Sequence, residues 1–343
     1  MSKKILVIYT GGTIGMQPSN RPDGSLAPAA GHLSQMMRTM PELQTSATTF
    51  DLIEYDPLLD SSDMTPADWA KIATDIENHY HDYDGFVVLH GTDTLAYTSS
   101  ALSFFVEGTR KPIVVTGSQL PFGAPRSDAR NNIVTAFQVA AEMPPELAQV
   151  CVVFGSKILR GNRATKISAA AYDAFDSPRL PYLGTVGIDL IFNHDLALAS
   201  PSAELRVQTN PPPNESIAVV RLFPGFSEQI IRSLCTNPDL KGIVLEAYGT
   251  GNGPSSDPDF LAAIADARQQ GVVIIVVAQP LEGMVNFGAY AAGSALGQAG
   301  AINGRDLTTE AALTKLYYLI SLKLGPAEIE DGMMRPIAGE MQA

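Results

Sequence analysis

Short apolar runs rich in valine and isoleucine recur along this chain, and segments with helical spacing lie between them. "KILVIYT" (4–10), "GFVVLHG" (85–91), "PIVVTGS" (112–118) and "VCVVFGS" (150–156) show no in–out alternation. A strand covered on both faces reads this way, because neither face meets water. In "TPADWAKIATDIENHY", Thr65 stands at an N-cap, Pro66 at the first helical position, and Trp69, Ile72, Ala73, Ile76 and Tyr80 on one apolar face. "DTLAYTSSALSFFVEG" and "SDARNNIVTAFQVAAEM" read as two further helices. Strand–helix–strand repetition predicts a doubly wound, flavodoxin- or Rossmann-like α/β fold with a parallel-rich sheet, and ligands off the carboxyl ends of its strands.

The rhythm breaks near residue 195. "NHDLALASPSAELRVQTNPPPNES" has no helical period and contains three consecutive prolines, so it reads as an extended linker. Strands "SIAVVRLF", "GIVLEAYG" and "GVVIIVVAQ" follow, with helices "SEQIIRSLC", "DPDFLAAIADARQQ" and "TTEAALTKLYYLISL". The expected organisation is an N-terminal α/β domain over 1–195, a linker over 196–214 and a smaller α/β domain over 215–343.

Composition narrows the function. Asp and Glu outnumber Lys and Arg by 36 to 23, a formal charge of −13, which argues against nucleic acid as the main ligand. The two cysteines, Cys151 and Cys235, lie in apolar runs and read as buried thiols. After "MSKK" the apolar run "ILVIY" is shorter than the ~7–15 residues of a signal peptide. No run approaches the ~18 apolar residues of a membrane span. The expectation is a cytoplasmic protein.

Both "YTGGTIGM" (9–16) and "HGTDTLAYT" (90–98) put a threonine behind glycine where a strand ends: Thr13 after Gly12, Thr92 after Gly91. Glycine there allows a tight turn and close approach of a ligand to the backbone. Each has a simpler reading, a helix cap at Thr92 or Asp93 and a plain glycine turn at Thr13. No phosphate-binding glycine fingerprint, G-x-S-x-G elbow or H-E-x-x-H occurs. His79, His81, Asp82 and Asp84 read as a polar helix end rather than a metal site. What remains is a hydroxyl nucleophile with an unusual base. Lys166 of "RGNRATK" is a candidate, since burial and neighbouring charge tune a lysine. "DSSDM" (60–64) adds a further polar turn.

Together, "TGGTIGM", "DSSDMTP", "DGFVVLHGTDTLAYTSSALSFF", "PIVVTGSQLP" and "RGNRATK" resemble the L-asparaginase/glutaminase family, in its order and over nearly the whole chain. The wording of the second motif is similar to the cytoplasmic type I bacterial branch. The resemblance implies hydrolysis of L-asparagine to L-aspartate and ammonia, without metal or organic cofactor, in a homodimer or a dimer-of-dimers tetramer. It implies Thr13 as nucleophile, Thr92 and Lys166 as proton handlers, and Asp93 as the partner of the substrate ammonium. Asp60, Ser61 and Ser62 match the loop that holds the substrate's carboxylate and amine. Ser118 matches the pocket lining, and Asn252 a residue that reaches a neighbouring subunit's site. Two departures stand out. The loop tyrosine of many relatives is missing, Ser25 or Leu26 occupying its place, which leaves open the group that activates Thr13; Tyr290 is one candidate to replace it. An effector site for asparagine seen in some relatives has lost its arginine to Glu246, with Ala278, Gln279 and Pro280 nearby, so it is expected to be absent or altered. The alternatives are a broader amidase acting on glutamine or D-asparagine, and a homologue that binds amino acids with little turnover.

Overall fold

The computed structural model describes residues 2–18, 26–43, 48–198 and 204–342. The chain forms two compact units, Met1–Thr209 and Asn210–Ala343.

The first unit begins with β1 (Lys3–Gly11), the short strands β2 (Met16–Pro18) and β3 (Leu26–Pro28), helix α1 (His32–Arg38) and β4 (Thr48–Leu59). Then come α2 (Pro66–His79), β5 (Gly85–Leu89), α3 (Leu95–Phe105), β6 (Val106–Glu107), β7 (Ile113–Thr116), α4 (Ala129–Glu142), β8 (Val150–Phe154) and β9 (Lys157–Arg160). Small strands complete it: β10 (Thr165–Lys166), β11 (Phe175–Asp176), β12 (Gly184–Val186), β13 (Leu190–Phe192) and β14 (Arg206–Val207). The main sheet runs β13-β12-β9-β8-β7-β5-β1-β4. The strands from β4 to β8 are parallel, and β9, β12 and β13 extend the sheet antiparallel. All five residues of β5 and of β8 are buried, which explains their unbroken apolar runs. Thr65 starts α2 as expected, its N–H and hydroxyl both donating to Asp68 at 2.8 Å. The predicted linker is in part a strand: β14 pairs antiparallel with β6, on the first unit.

The order reverses beside β1. The chain adds β4 on one side of it and returns to add β5 on the other. Such a reversal opens a crevice off the carboxyl ends of the strands. Strand register levels those ends, because Ile5 lies opposite Gly85 and Tyr9 opposite Leu89.

The second unit is a smaller repetition. It holds β15 (Ile217–Arg221), α5 (Gln229–Leu234), β16 (Gly242–Ala247), α6 (Pro258–Gln269), β17 (Val273–Ala278), α7 (Ala291–Gln298), β18 (Ile302–Asn303), α8 (Thr309–Ser321) and α9 (Pro326–Met334). Its four strands, β15-β16-β17-β18, are parallel. Each unit has its own apolar core, one around Val7, Val87, Val114 and Ile133, the other around Ile243, Leu245, Ile264 and Ile274. The mixed α/β architecture with two separate parallel-rich sheets agrees with the expected fold class. Among the described residues no helix is long and apolar enough to cross a membrane. Both cysteines are free; Cys151 is buried as expected, whereas Cys235 is only half-buried.

Candidate active site

Three turns leave the level ends of β1, β4 and β5 and touch backbone to backbone. Gly11 and Gly12 have φ of 136° and 89°, a region that L side chains rarely adopt. A Cβ on Gly12 would meet Gly91 Cα at 2.3 Å, and a Cβ on Gly91 would meet Ser61 Oγ at 2.4 Å. Gly12 N–H donates to Leu59 O at 3.2 Å, and the Thr94 hydroxyl donates to Ser61 O at 2.6 Å. The glycines therefore let the Thr13 turn, the Asp60–Ser61 turn and the Thr92 turn share one crevice. This convergence is invisible in a linear sequence.

The helix-cap reading of Thr92 and Asp93 is not what the chain uses. Helix α3 begins at Leu95, with Thr94 at the N-cap. Thr92 and Asp93 are thereby left for Lys166, whose Nζ donates to Thr92 Oγ1 at 2.9 Å and to Asp93 Oδ1 at 2.7 Å. Thr92 is buried, the Lys166 side chain is 20% exposed and that of Asp93 66%. A hydroxyl, an ammonium and a carboxylate thus meet where one side opens to solvent. An ammonium on a threonine oxygen stabilises negative charge developing there, and the deprotonated amine can accept the hydroxyl proton. Lys166 does not follow the fourth apolar strand directly: β9 and a 3-10 turn (Gly161–Arg163) intervene, and Lys166 sits in the separate two-stranded sheet of β10 and β11.

The other candidates divide. Thr13 is half-buried and opens a 3-10 turn over Thr13–Gly15, where Ile14 O accepts from Phe122 N–H at 3.0 Å. Asp60 is exposed, and its Oδ1 accepts from both the N–H and the hydroxyl of Ser62 at 3.0 Å. Ser61 is buried against Gly91. Ser118 is buried too, but its hydroxyl donates to Leu120 O at 2.5 Å, a turn-stabilising role. Asn252 and Tyr290 belong to the second unit. Asn252 Oδ1 is buried without a hydrogen-bond partner among the described residues, and Tyr290 is an exposed residue at the N-cap of α7. Of the loop position, Ser25 lies outside the described residues and Leu26 begins β3.

Two buried residues escaped the reading of the sequence. Tyr9 lies under the Thr13 turn: a Cβ on Gly15 would come within 1.8 Å of its hydroxyl, which has no hydrogen-bond partner among the described residues. Burial, with Glu54 adding to it, raises this phenol far above its usual range, so it stays protonated. His90 precedes Gly91 and is fully buried. Its Nδ1 lies 2.6 Å from Gly91 O. A carbonyl only accepts, so Nδ1 carries the proton and Nε2 accepts from Thr98 Oγ1 at 2.8 Å. Thr98 accepts in turn from Trp69 Nε1 at 3.1 Å. Burial, opposed by the Gly91 bond, lowers the imidazole pKa to about 4, so His90 braces the Gly91 peptide as a neutral ring. In the sequence it is only a histidine beside a glycine.

Among the described residues no group of three or more His, Cys, Asp or Glu is arranged to hold a metal ion. His79 turns its Nδ1 to Asp75 O at 2.8 Å, as a helix end would.

Comparison with known proteins gives the family. The family model described as "Asparaginase, N-terminal" matches residues 4–198, and "Glutaminase/Asparaginase C-terminal domain" matches 216–333. The chain is 45% identical to L-asparaginase 1 of Escherichia coli (strain K12), over 99% of this chain and 98% of that protein. L-asparaginase I from Vibrio cholerae O1 biovar eltor str. N16961 matches with a TM-score of 0.90 at 43% identity, covering 100% of both chains. The thermostable L-asparaginase from Thermococcus kodakarensis matches with a TM-score of 0.87 at 33% identity, covering 99% of each. With both family models matched in order and a relative of this identity aligned end to end, the chain belongs to the asparaginase family.

Proposed function

We propose that this chain hydrolyses L-asparagine to L-aspartate and ammonia through an ester on Thr13. The observation that carries the reading is the pair of bonds from Lys166 Nζ to Thr92 Oγ1 and Asp93 Oδ1, in a crevice shared with the Thr13 turn. In this reading Thr13 Oγ1 attacks the side-chain amide carbon, its proton passes to the departing amine, and ammonia leaves. Water then attacks the ester, giving its proton to the Thr92–Lys166 pair, and aspartate is released as Thr13 regains its hydrogen. Dividing amide hydrolysis into two acyl transfers lowers each barrier. Asp93 and Asp60 supply counter-charge for the substrate ammonium, and the Ser61–Ser62 turn is assigned to the α-carboxylate. A substrate held by both charges presents its amide in one orientation, and that orientation accounts for much of the rate.

The proposal extends to the protein's setting. Residues 1–195 carry the catalytic set, 196–214 connect, and 215–343 form the second domain. The protein is assigned to the cytoplasm and to a homodimer or dimer-of-dimers tetramer, in which Asn252 serves a neighbouring subunit's site. These assignments rest on the resemblance of the motifs to the type I branch.

The test is ammonia release from L-asparagine and L-glutamine at equal concentrations, for wild type, Thr13→Ala and Thr92→Val. Asparagine turnover that both substitutions abolish is the expected result. Equal turnover of glutamine favours the broader amidase, because one methylene is worth only ~1–3 kcal/mol of discrimination. Tight asparagine binding without ammonia release contradicts the proposal.

A further inference from the structure

Lys166 stands on a narrow support. Strands β10 and β11 form a separate sheet in which Thr165 faces Asp176 and Lys166 faces Phe175. Beyond the two registered pairs, Ile167 N–H and Ser168 N–H both donate to Ala174 O, at 2.8 and 3.3 Å, so the hairpin is short and its hold on a long side chain limited. Side chains outside it add to that hold. Lys157, on β9 of the main sheet, has its Nζ 3.4 Å from Phe175 O, 3.6 Å from Asp176 Oδ2 and 3.7 Å from Asp173 Oδ2. Phe175 O thus belongs to the residue registered directly against Lys166. The Lys157 side chain is only 13% exposed.

The surroundings hold this cluster in place. Asp176 Oδ1 accepts from Tyr182 Oη at 2.7 Å and from Ser177 N–H at 2.9 Å. Phe175 also packs on Phe154 of β8, ring centres 4.9 Å apart, so the hairpin has an apolar anchor as well as an ionic one. Apolar packing holds a ring near its place but tolerates sliding, whereas a cation between two carboxylates and a carbonyl restrains position along the strand. Both partners are ionised at neutral pH. Burial pulls the Lys157 ammonium down, but Asp176, Asp173 and Tyr182 outweigh it and leave its pKa above the usual value. Burial pushes Asp176 up, but the bonds from Tyr182 and Ser177 and the charge of Lys157 leave it below the usual range.

We propose that Lys157 is a positioning residue for Lys166: it ties β11 to the main sheet and so fixes the strand against which the Lys166 ammonium is aimed at Thr92 and Asp93. This inference rests on the reading of Lys166 as a proton-handling group. No contact between Lys157 and substrate is invoked, so its effect belongs on the rate of the chemical steps more than on binding.

The experiment compares Lys157→Met, Lys157→Arg, Asp176→Asn and the double variant Lys157→Met/Asp176→Asn with wild type, by ammonia release from L-asparagine and by thermal melting. A misplacement of 1 Å in an active site can cost about a hundredfold, so a partial loosening is expected to lower kcat about tenfold in Lys157→Met. KM stays within about twofold, and Lys157→Arg restores kcat to within about twofold of wild type. Asp176→Asn reads the same tether should Lys157→Met fail to fold. Because both act through one strand, the double variant loses no more than the worse single variant. Wild-type kcat in Lys157→Met and Asp176→Asn overturns the inference, as do losses that multiply in the double variant or an arginine that does not rescue. Absence of ammonia release by wild type sinks the underlying reading instead. The crystal structure of Lys157→Met then decides this inference alone. A displaced Lys166 ammonium supports it, and one still within hydrogen-bond distance of Thr92 and Asp93 overturns it.

Discussion

The two sheets end differently. At the carboxyl ends of β1, β4 and β5 the backbones close on one another through Gly12 and Gly91, with Asp60 and Asp93 exposed beside the buried Ser61 and Thr92. At the carboxyl ends of β15 and β16, Arg221 and Glu246 bond each other at 3.0 Å, and Thr309 donates to the same carboxylate at 2.7 Å. Gln279 is turned inward, its Nε2 donating to Leu222 O at 2.7 Å and to Glu246 O at 3.0 Å. The same architecture therefore yields a candidate site in one unit and, at Arg221, Glu246 and Gln279, side chains bonded among themselves and to the backbone in the other. Both cations face a carboxylate, but Lys166 also bonds the Thr92 hydroxyl and can give up its proton to serve as a base, whereas the Arg221 guanidinium stays charged.

The largest effect expected to separate the two regions comes from Lys166→Met. Removing a positioned acid–base group costs about 10²–10⁴-fold, so kcat should fall by roughly a thousandfold, whereas Arg221→Met should leave it within about twofold. Comparable losses in both would erase the distinction. Next is Gly91→Ala. Its methyl would meet Ser61 Oγ at 2.4 Å and Gly12 Cα at 3.2 Å, forcing the three turns apart. Activity should drop about a hundredfold, with a stability loss of about 1–3 kcal/mol on denaturant unfolding.

A third prediction concerns acid. The His90 pKa is lowered from 6.5 to about 4 on folding, so between those values the unfolded chain binds more protons. Stability from this group is complete above pH 6.5, falls as the pH drops, and is down by about 3 kcal/mol near pH 4. His90→Gln should flatten that part of the stability–pH curve, and an unchanged slope would show that another group sets it. The smallest effect tests the second region alone. The resemblance implies that Glu246 stands where an effector site would need a cation, so asparagine kinetics should be hyperbolic. Sigmoidal kinetics with a second asparagine bound beside Glu246 would overturn that.

The legible parts of the molecule are the local ones. Val87 and Val88 read as a buried strand because burial on both faces removes alternation. Thr65 and Pro66 announced α2 because capping is decided within one turn. The hydroxyls of Thr13 and Thr92 were visible as glycine-flanked threonines, and their roles as what the family resemblance implies. That Gly12 would collide with Gly91 was not visible, since nearly eighty residues of chain lie between them and only the register of β1 on β5 levels the two turns. Lys157, Tyr9 and His90 went unnoticed for a similar reason. Each acts through a partner distant in sequence or through burial, and neither leaves a local pattern. The short antiparallel strands β9 to β13 were missed because runs of two to four residues carry no readable period. Ser118, singled out by its motif, gives its one hydroxyl proton to Leu120 O and keeps its oxygen as an acceptor.

The most direct test of the central claim is to quench the protein in acid during turnover of L-asparagine and map its peptides by mass spectrometry. One aspartyl group is expected, esterified to the peptide carrying Thr13, absent from Thr13→Ala and more abundant in Lys166→Met relative to its turnover rate. An aspartyl group on Thr92, or turnover that persists in Thr13→Ala, would contradict it.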